Sequence, residues 1–287
     1  MSFFDIVWIA IPILVACLCA PLVARWLVWT FEDRPHRIDK LTHLIVGKAS
    51  QGAMDWKLYA WALLAFNLLG IAVLMAMQLA QGILPLNPMH FPGVPFDLAF
   101  NTAVSFVTNT NWQAYSGEAT LSYLTQMVGL GTQNFVSAAV GFAAMVAIAR
   151  GIRRNTTGSL GNFWIDLTRV TICVLLPLSF VWALVLVSQG VVQNFASYLE
   201  VATVEGAKQV LPMGPASSQI AIKQLGTNGG GFFGVNSTHP FENPTFFSNL
   251  FECIGIICDA HAAAGWTCHH CLERIPHESA SLRAAAS

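Results

Sequence analysis

Four stretches of the chain contain no Asp, Glu, Lys or Arg: Ile6 to Ala24, Leu58 to Phe96, Leu121 to Ala149 and Val170 to Leu199. Each is long enough to include the ~20 apolar residues a helix needs to cross a bilayer. Buried helices of a large soluble core would come with amphipathic partners to cover them, and almost none are evident. Four transmembrane spans are therefore predicted. The second stretch cannot be one helix, because Pro85, Pro88, Pro92 and Pro95 interrupt it. It divides into a span ending near Leu84, an irregular segment, and a short apolar run beginning at Pro95 and Asp97. That run fits a helix of about a dozen residues, roughly 18 Å long and too short to span.

The short helix leads into Thr108-Asn109-Thr110-Asn111-Trp112-Gln113, an uncharged polar loop within NTAVSFVTNTNWQAYSG (Asn101 to Gly117). A half-helix points its negative end at such a loop, which offers carbonyls to a cation. The arrangement recurs in SSQIAIKQLGTNGGGFFG (Ser217 to Gly234), where a short helix beginning near Ser217 precedes Thr227, Asn228 and three glycines. Irregular backbone at membrane depth is tolerated where protein buries it or where it lines a water-filled cavity. Two such loops predict an ion pathway. The order is span, span, half-helix with loop, span, span, half-helix with loop, then an apolar start after Pro244: an incomplete set of span, pore helix, span units. Such pores close around an axis, and potassium channels use four loops. This chain carries two.

Composition agrees with a bilayer as solvent: 287 residues are 55% hydrophobic and 10% charged, with a mean hydropathy of +0.57. A net charge of -1 suggests neither nucleic acid nor an acidic partner. Basic residues set the orientation. Arg25, Arg34, Arg37, Lys40, Lys48 and Lys57 follow the first span, and Arg150, Arg153, Arg154 and Arg169 separate the third from the fourth, whereas Leu79 to Thr120 has no Lys or Arg. The positive-inside rule then puts both basic loops in the cytoplasm, and the N-terminus and both polar loops outside. Lys208 and Lys223 fall on the outer side and run against this scheme. Met1 to Val7 carries Asp5 and no basic residue, so the first run reads as a retained span rather than a secretory signal.

Other features carry less. Asp39-Lys40-Leu41-Thr42 resembles the D-K-T-G phosphorylation motif of P-type ATPases but lacks its third and fourth residues. The glycines at 229 to 231 are not followed by Lys-Ser/Thr, which argues against a phosphate cradle. Glu118 could concentrate cations at the mouth of the first loop, or simply favour the first turn of a helix. His90 and His239 need no role. Cys17, Cys19 and Cys173 read as packing residues inside spans.

Three strings, TNTNWQAYSGEATLSYLTQMVGLGTQNF (Thr108 to Phe135), LPMGP (Leu211 to Pro215) and LGTNGGGFFGVNSTHPFENPT (Leu225 to Thr245), closely resemble KdpA, the potassium-transporting ATPase A-subunit family. The likeness runs from the N-terminus to about Glu252 or Ile257. It implies an all-α membrane protein of the potassium transporter superfamily, whose members fold four span, pore helix, span repeats into one pore. It implies potassium as the bound ion and three partners in a complex that takes up potassium with high affinity: a P-type ATPase catalytic subunit, a short single-span subunit, plus a peripheral subunit. ATP hydrolysis would lie on the partner, and the setting would be a bacterial inner membrane. On this resemblance Thr108 to Gln113 is the first filter loop and Gly226 to Gly231 the second, with Thr108, Asn109, Thr110, Asn111, Gln113, Thr227, Asn228, Gly229 and Gly230 as ion-binding or mouth residues. The chemistry agrees: neutral oxygens can replace the water of potassium without holding the ion too tightly to release it. Glycines 229 to 231 would allow positive φ, turning carbonyls toward an axis.

The family pattern needs two further repeats. Instead, the chain closes on CIGIICDAHAAAGWTCHHCLERIPHESASLRAAAS, where Glu252 and Asp259 break the apolar run. The expected organisation is a membrane pore region, 1–252, followed by an aberrant tail, 253–287, with no complete fifth span. Cys268-His269-His270-Cys271 has spacing and softness suited to zinc, although an aberrant reading frame also produces such clusters. Three functions follow: a potassium-translocating membrane subunit, a non-conducting fragment of one, and, least favoured, a zinc or thiol module at Cys268 and Cys271.

Overall fold

The computed structural model describes residues 3–31, 35–154 and 159–257. Its helices are α1 (Phe3–Phe31), α2 (Asp39–Val46), α3 (Trp56–Ala80), α4 (Phe96–Val107), α5 (Gly117–Thr120), α6 (Thr132–Arg154), α7 (Phe163–Val170), α8 (Leu176–Ser188), α9 (Ala216–Leu225) and α10 (Phe246–Ile257). Among the described residues, four helices are long and apolar enough to cross a membrane: Ile9–Phe31, Trp56–Ile83, Thr125–Ile152 and Phe163–Ser188. These are the four predicted spans. The third extends α6 backwards through a π-helical segment, Thr125–Gly131, and the fourth joins α7 to α8 through another, Thr171–Leu175. The most apolar stretch of the third is 61% buried and that of the second 6%, so the third is the span that serves as core.

The chain forms two compact units. Among the described residues, one comprises those within 1–65 and 139–174; the other comprises Phe66–Ala138 and Leu175–Ile256. In the first unit, buried ion pairs hold the helices together. Arg169 grips Asp39 with two bonds, Nε to Oδ1 at 2.9 Å and Nη2 to Oδ2 at 2.7 Å. Arg150 meets Asp166 at 2.6 Å, and the Tyr59 hydroxyl donates to Asp166 at 3.1 Å. These pairs explain why the fourth span starts at Phe163 rather than at Val170: two charged residues that a charge-free window excludes are neutralised inside the helix. Asn162 caps it, accepting from the N–H groups of Trp164 and Ile165. Asp39 is thus a structural anion, not a phosphoacceptor. Burial alone would raise its pKa, but the Arg169 hydrogen bond, the His36 N–H and the Arg169 charge together hold it below the usual carboxylate value.

The second unit carries both short helices. α4 has 12 residues and α9 has 10, close to the lengths expected of half-helices. α4 packs with the second span around Leu74, Ala99, Ala103, Phe106 and Leu130. α9 packs with α8 and the segment after the second loop around Leu186, Ile220, Phe232 and Phe233. The polar stretch between α8 and α9 holds an exposed antiparallel hairpin, β1 (Leu199–Ala202) with β2 (Lys208–Leu211). Among the described residues, α10 covers 12 apolar-rich residues, Phe246–Ile257.

Candidate functional site

The two polar loops leave their helices in the same way. The residue after α4, Thr108, has φ -80° and ψ 4°; the residue after α9, Gly226, has φ -82° and ψ 1°. The N–H of Thr108 bonds Val104 O at 3.0 Å and that of Gly226 bonds Ile222 O at 2.8 Å. Asn109 and Thr227 reach back three residues, to Phe106 O and Gln224 O, and Thr110 and Asn228 reach back five, to Ser105 O and Lys223 O. The next residue in the first loop, Asn111, also donates to Ser105 O. The first loop's N–H groups thus satisfy the orphan carbonyls of its helix, as do those of the second.

Alternation in φ makes this possible. Asn109 and Asn111 have φ of 60° and 56°, and Thr227 and Gly229 have φ of 50° and 106°. Each loop therefore has two left-handed residues, separated by one that is not. Asn tolerates this region, but a β-branched residue there is an outlier, and Thr227 is strained. Of the three glycines, Gly229 alone has the positive φ expected of them all. The other two are glycines because neighbours come close. A Cβ on Gly230 would lie 2.9 Å from Asn111 Cβ and nearer still to the Asn111 carbonyl oxygen. One on Gly231 would lie 2.6 Å from Lys223 Nζ.

The structure brings the loops together edge to edge. Gln113 clasps Gly231 in both directions, its amide donating to Gly231 O at 3.0 Å and accepting the Gly231 N–H at 3.0 Å. Asn109 donates to Gly226 O at 3.3 Å and accepts from Asn228 Nδ2 in a short contact. Ser137, on α6, lies behind this pair: it donates to Asn109 Oδ1 at 2.8 Å and accepts from Asn228 at 3.3 Å. Gln126 donates to Phe232 O at 2.9 Å, and Glu118 accepts the Gly234 N–H at 2.7 Å. Glu118 is thus a strut between the loops. Thr108 and Thr110 join hydroxyls at 2.9 Å. Thr108, Thr110, Thr227 and Gly229 are exposed; Asn111, Asn228 and Gly230 are buried; Asn109 and Gln113 are half-buried.

Sequence reasoning passed over Ser137 and Gln126, yet a signal exists. Gln126, Gln133, Asn134 and Ser137 recur at helical spacing in the third span, and all four are buried. Lys223 is likewise not an outer-loop cation. It is 2% exposed and paired with Glu242, itself 0% exposed, so it says nothing against the orientation rule. His239 stacks on Phe233 with ring centroids 3.9 Å apart. Its burial lowers its pKa, against the opposing pull of Glu118 and Glu242, and its Nδ1 accepts the Phe241 N–H.

The two loops, Thr108–Gln113 and Gly226–Gly231, contain no charged residue, and their polar atoms are neutral amides, hydroxyls and backbone groups. Among the described residues no group of His, Cys, Asp and Glu could hold a transition metal; Cys268 and Cys271 lie outside the described residues, as does most of the expected tail.

A family model described as the potassium-transporting ATPase A subunit, KdpA, matches residues 9–270, further along the chain than the likeness read from its motifs. Curated relatives named potassium-transporting ATPase potassium-binding subunit are 64% identical over 220 residues in Pseudomonas syringae pv. tomato, covering 77% of this chain and 39% of the relative. In Pseudomonas aeruginosa identity is 58% over 245 residues, covering 83% and 43%, and in Edwardsiella ictaluri 56% over 247 residues, covering 85% and 44%. The chain spans about two fifths of the length of these relatives.

Proposed function

Because the chain belongs to the potassium-transporting ATPase A-subunit family, we propose that its two loops form half of a potassium-selective site in a multi-pass membrane subunit. The observation that carries this reading is the shared backbone of the loops, each leaving a half-helix with alternating φ and each braced against the other. Strain at Thr227 supports it, because strained backbone persists where the surrounding structure holds it for a purpose. Thr108, Asn109, Thr110, Asn111 and Gln113 in the first loop, and Thr227, Asn228, Gly229 and Gly230 in the second, contribute the oxygens or set their positions.

In this reading potassium arrives from outside the bacterial inner membrane, exchanges water for loop carbonyls, and passes to a P-type ATPase catalytic subunit that hydrolyses ATP. A short single-span subunit, with a peripheral subunit, completes the complex, and the N-terminus faces outward. A pore closed by four loops takes its remaining oxygens from residues beyond the two loops described above. The reading is tested by growth of a transport-deficient bacterial strain at micromolar potassium, expressing this chain with the three partner subunits. Rescue is the expected result, with two copies of the chain together supplying the four loops. Failure of this chain alongside rescue by a full-length relative would favour a non-conducting product.

A further inference from the structure

Lys223 sits in the last turn of α9 immediately before the second loop. A cation there suits the helix's own negative pole but works against a cation bound at the loop. The C-terminal end of a half-helix is its negative pole, and a lysine cancels the field that would favour a bound cation. The loop does not need a charge to be braced. Counting back from the first loop, the residue equivalent to Lys223 is Ser105: their carbonyls accept equivalent N–H groups, from Thr110 and Asn228. Ser105 braces its loop with a neutral hydroxyl, donating to Trp112 O at 2.8 Å.

The lysine reaches the back of the second loop. Its Nζ lies against Gly231, the same residue that Gln113 clasps from the other side. Its charge is met by Glu242, from the segment beyond the loop, and its Nζ also donates to Asn236 Oδ1 at 3.4 Å. Ser237 donates to the same Glu242 oxygen at 3.3 Å, while the second carboxylate oxygen, Oε2, is buried without a hydrogen-bond partner. A buried ion pair of this kind is a poor source of stability compared with apolar packing. Its position behind one of two otherwise matching loops is what sets it apart.

We propose that the Lys223–Glu242 pair sets the cation affinity of the second loop: Glu242 cancels the charge of the lysine held behind Gly231, which would otherwise repel the ion. This rests on the reading of the loops as a cation site. The two residues act through their charges, not as ligands. An uncompensated unit charge about 10 Å from a bound cation, at an effective dielectric of about 20, changes affinity by roughly tenfold.

The test is radioactive rubidium binding, with sodium competition, to the chain purified with its partner subunits in lipid nanodiscs. Glu242→Gln is expected to weaken rubidium binding by roughly tenfold, because it leaves the lysine unopposed. Lys223→Met is expected not to weaken it, and the double variant Lys223→Met/Glu242→Gln to return to within about threefold of wild type. If Glu242→Gln does not fold, the double variant decides the matter, and a loss of about tenfold there overturns the proposal. Equal weakening by both single variants would mean a merely structural brace and would also overturn it. Wild-type protein that binds no rubidium would remove the cation-site reading itself, and this inference with it; wild-type binding with unmoved variants would remove the inference alone.

Discussion

Gly230→Ala separates the close approach of the two loops from their backbone conformation. The added Cβ would stand 2.9 Å from Asn111 Cβ, against an ordinary contact of 3.4 Å, and closer to the Asn111 oxygen. Clearing the Asn111 oxygen, the nearest atom, opens the loops by roughly 1 Å or more, beyond the ~0.5 Å within which a binding constellation has to be held. Overpacking of this sort costs about 1–3 kcal/mol. Taken wholly from ion binding, that is roughly a 5- to 150-fold loss of affinity. Gly229→Ala is the control. Its Cβ meets nothing within 4 Å, but φ is 106°, so its cost of about 1–2 kcal/mol falls on folding of the loop rather than on the contact between loops. The assay is rubidium binding to the chain purified with its partner subunits, alongside thermal unfolding. A Gly230→Ala protein that binds rubidium as tightly as wild type would refute the claim that loop contact shapes the site.

Other expectations follow from particular contacts. Thr227→Gly relieves a β-branched residue at φ 50° and should raise thermal stability by about 1 kcal/mol, while reducing preference for potassium over sodium in uptake competition. Gly229→Asp places a carboxylate on an exposed loop with room for it and should weaken potassium selectivity in the same assay. Ser137→Ala removes the hydroxyl joining Asn109 and Asn228 and should cost about 1–3 kcal/mol of stability in denaturant or thermal melts. Asp39 has a folded pKa below its ordinary 3.8, so its contribution is present above that value and is lost as pH falls through the lower folded one. Asp39→Ala should cost about 3–5 kcal/mol at neutral pH by stranding the buried Arg169, and the difference from wild type should shrink in strong acid.

The spans were legible because charge-free runs of this length suit a bilayer and little else, and the short helices because prolines and a polar loop bounded them. The fourth span's start was not legible: Asp166 and Arg169 look like loop residues until Arg150 and Asp39 are seen to neutralise them. The loops could be located, but their geometry could not. Glycines advertise positive φ, whereas Thr227 adopts it against its own preference, and Gly230 and Gly231 are glycines for lack of space instead. Lys223 was misplaced because its partner, Glu242, lies 19 residues away in sequence, beyond any local pattern. The polar stripe through Gln126, Gln133, Asn134 and Ser137 was visible in the spacing, since an apolar span has little reason to repeat amides on one face.

The most direct measurement is anomalous scattering from rubidium-soaked crystals of the chain with its partner subunits, which locates the ion against the two loops. The account predicts a peak about 3 Å from carbonyl oxygens of both Thr108–Gln113 and Gly226–Gly231, consistent with carbonyls replacing the ion's hydration shell. A rubidium peak remote from both loops, with neither contributing an oxygen, would contradict it.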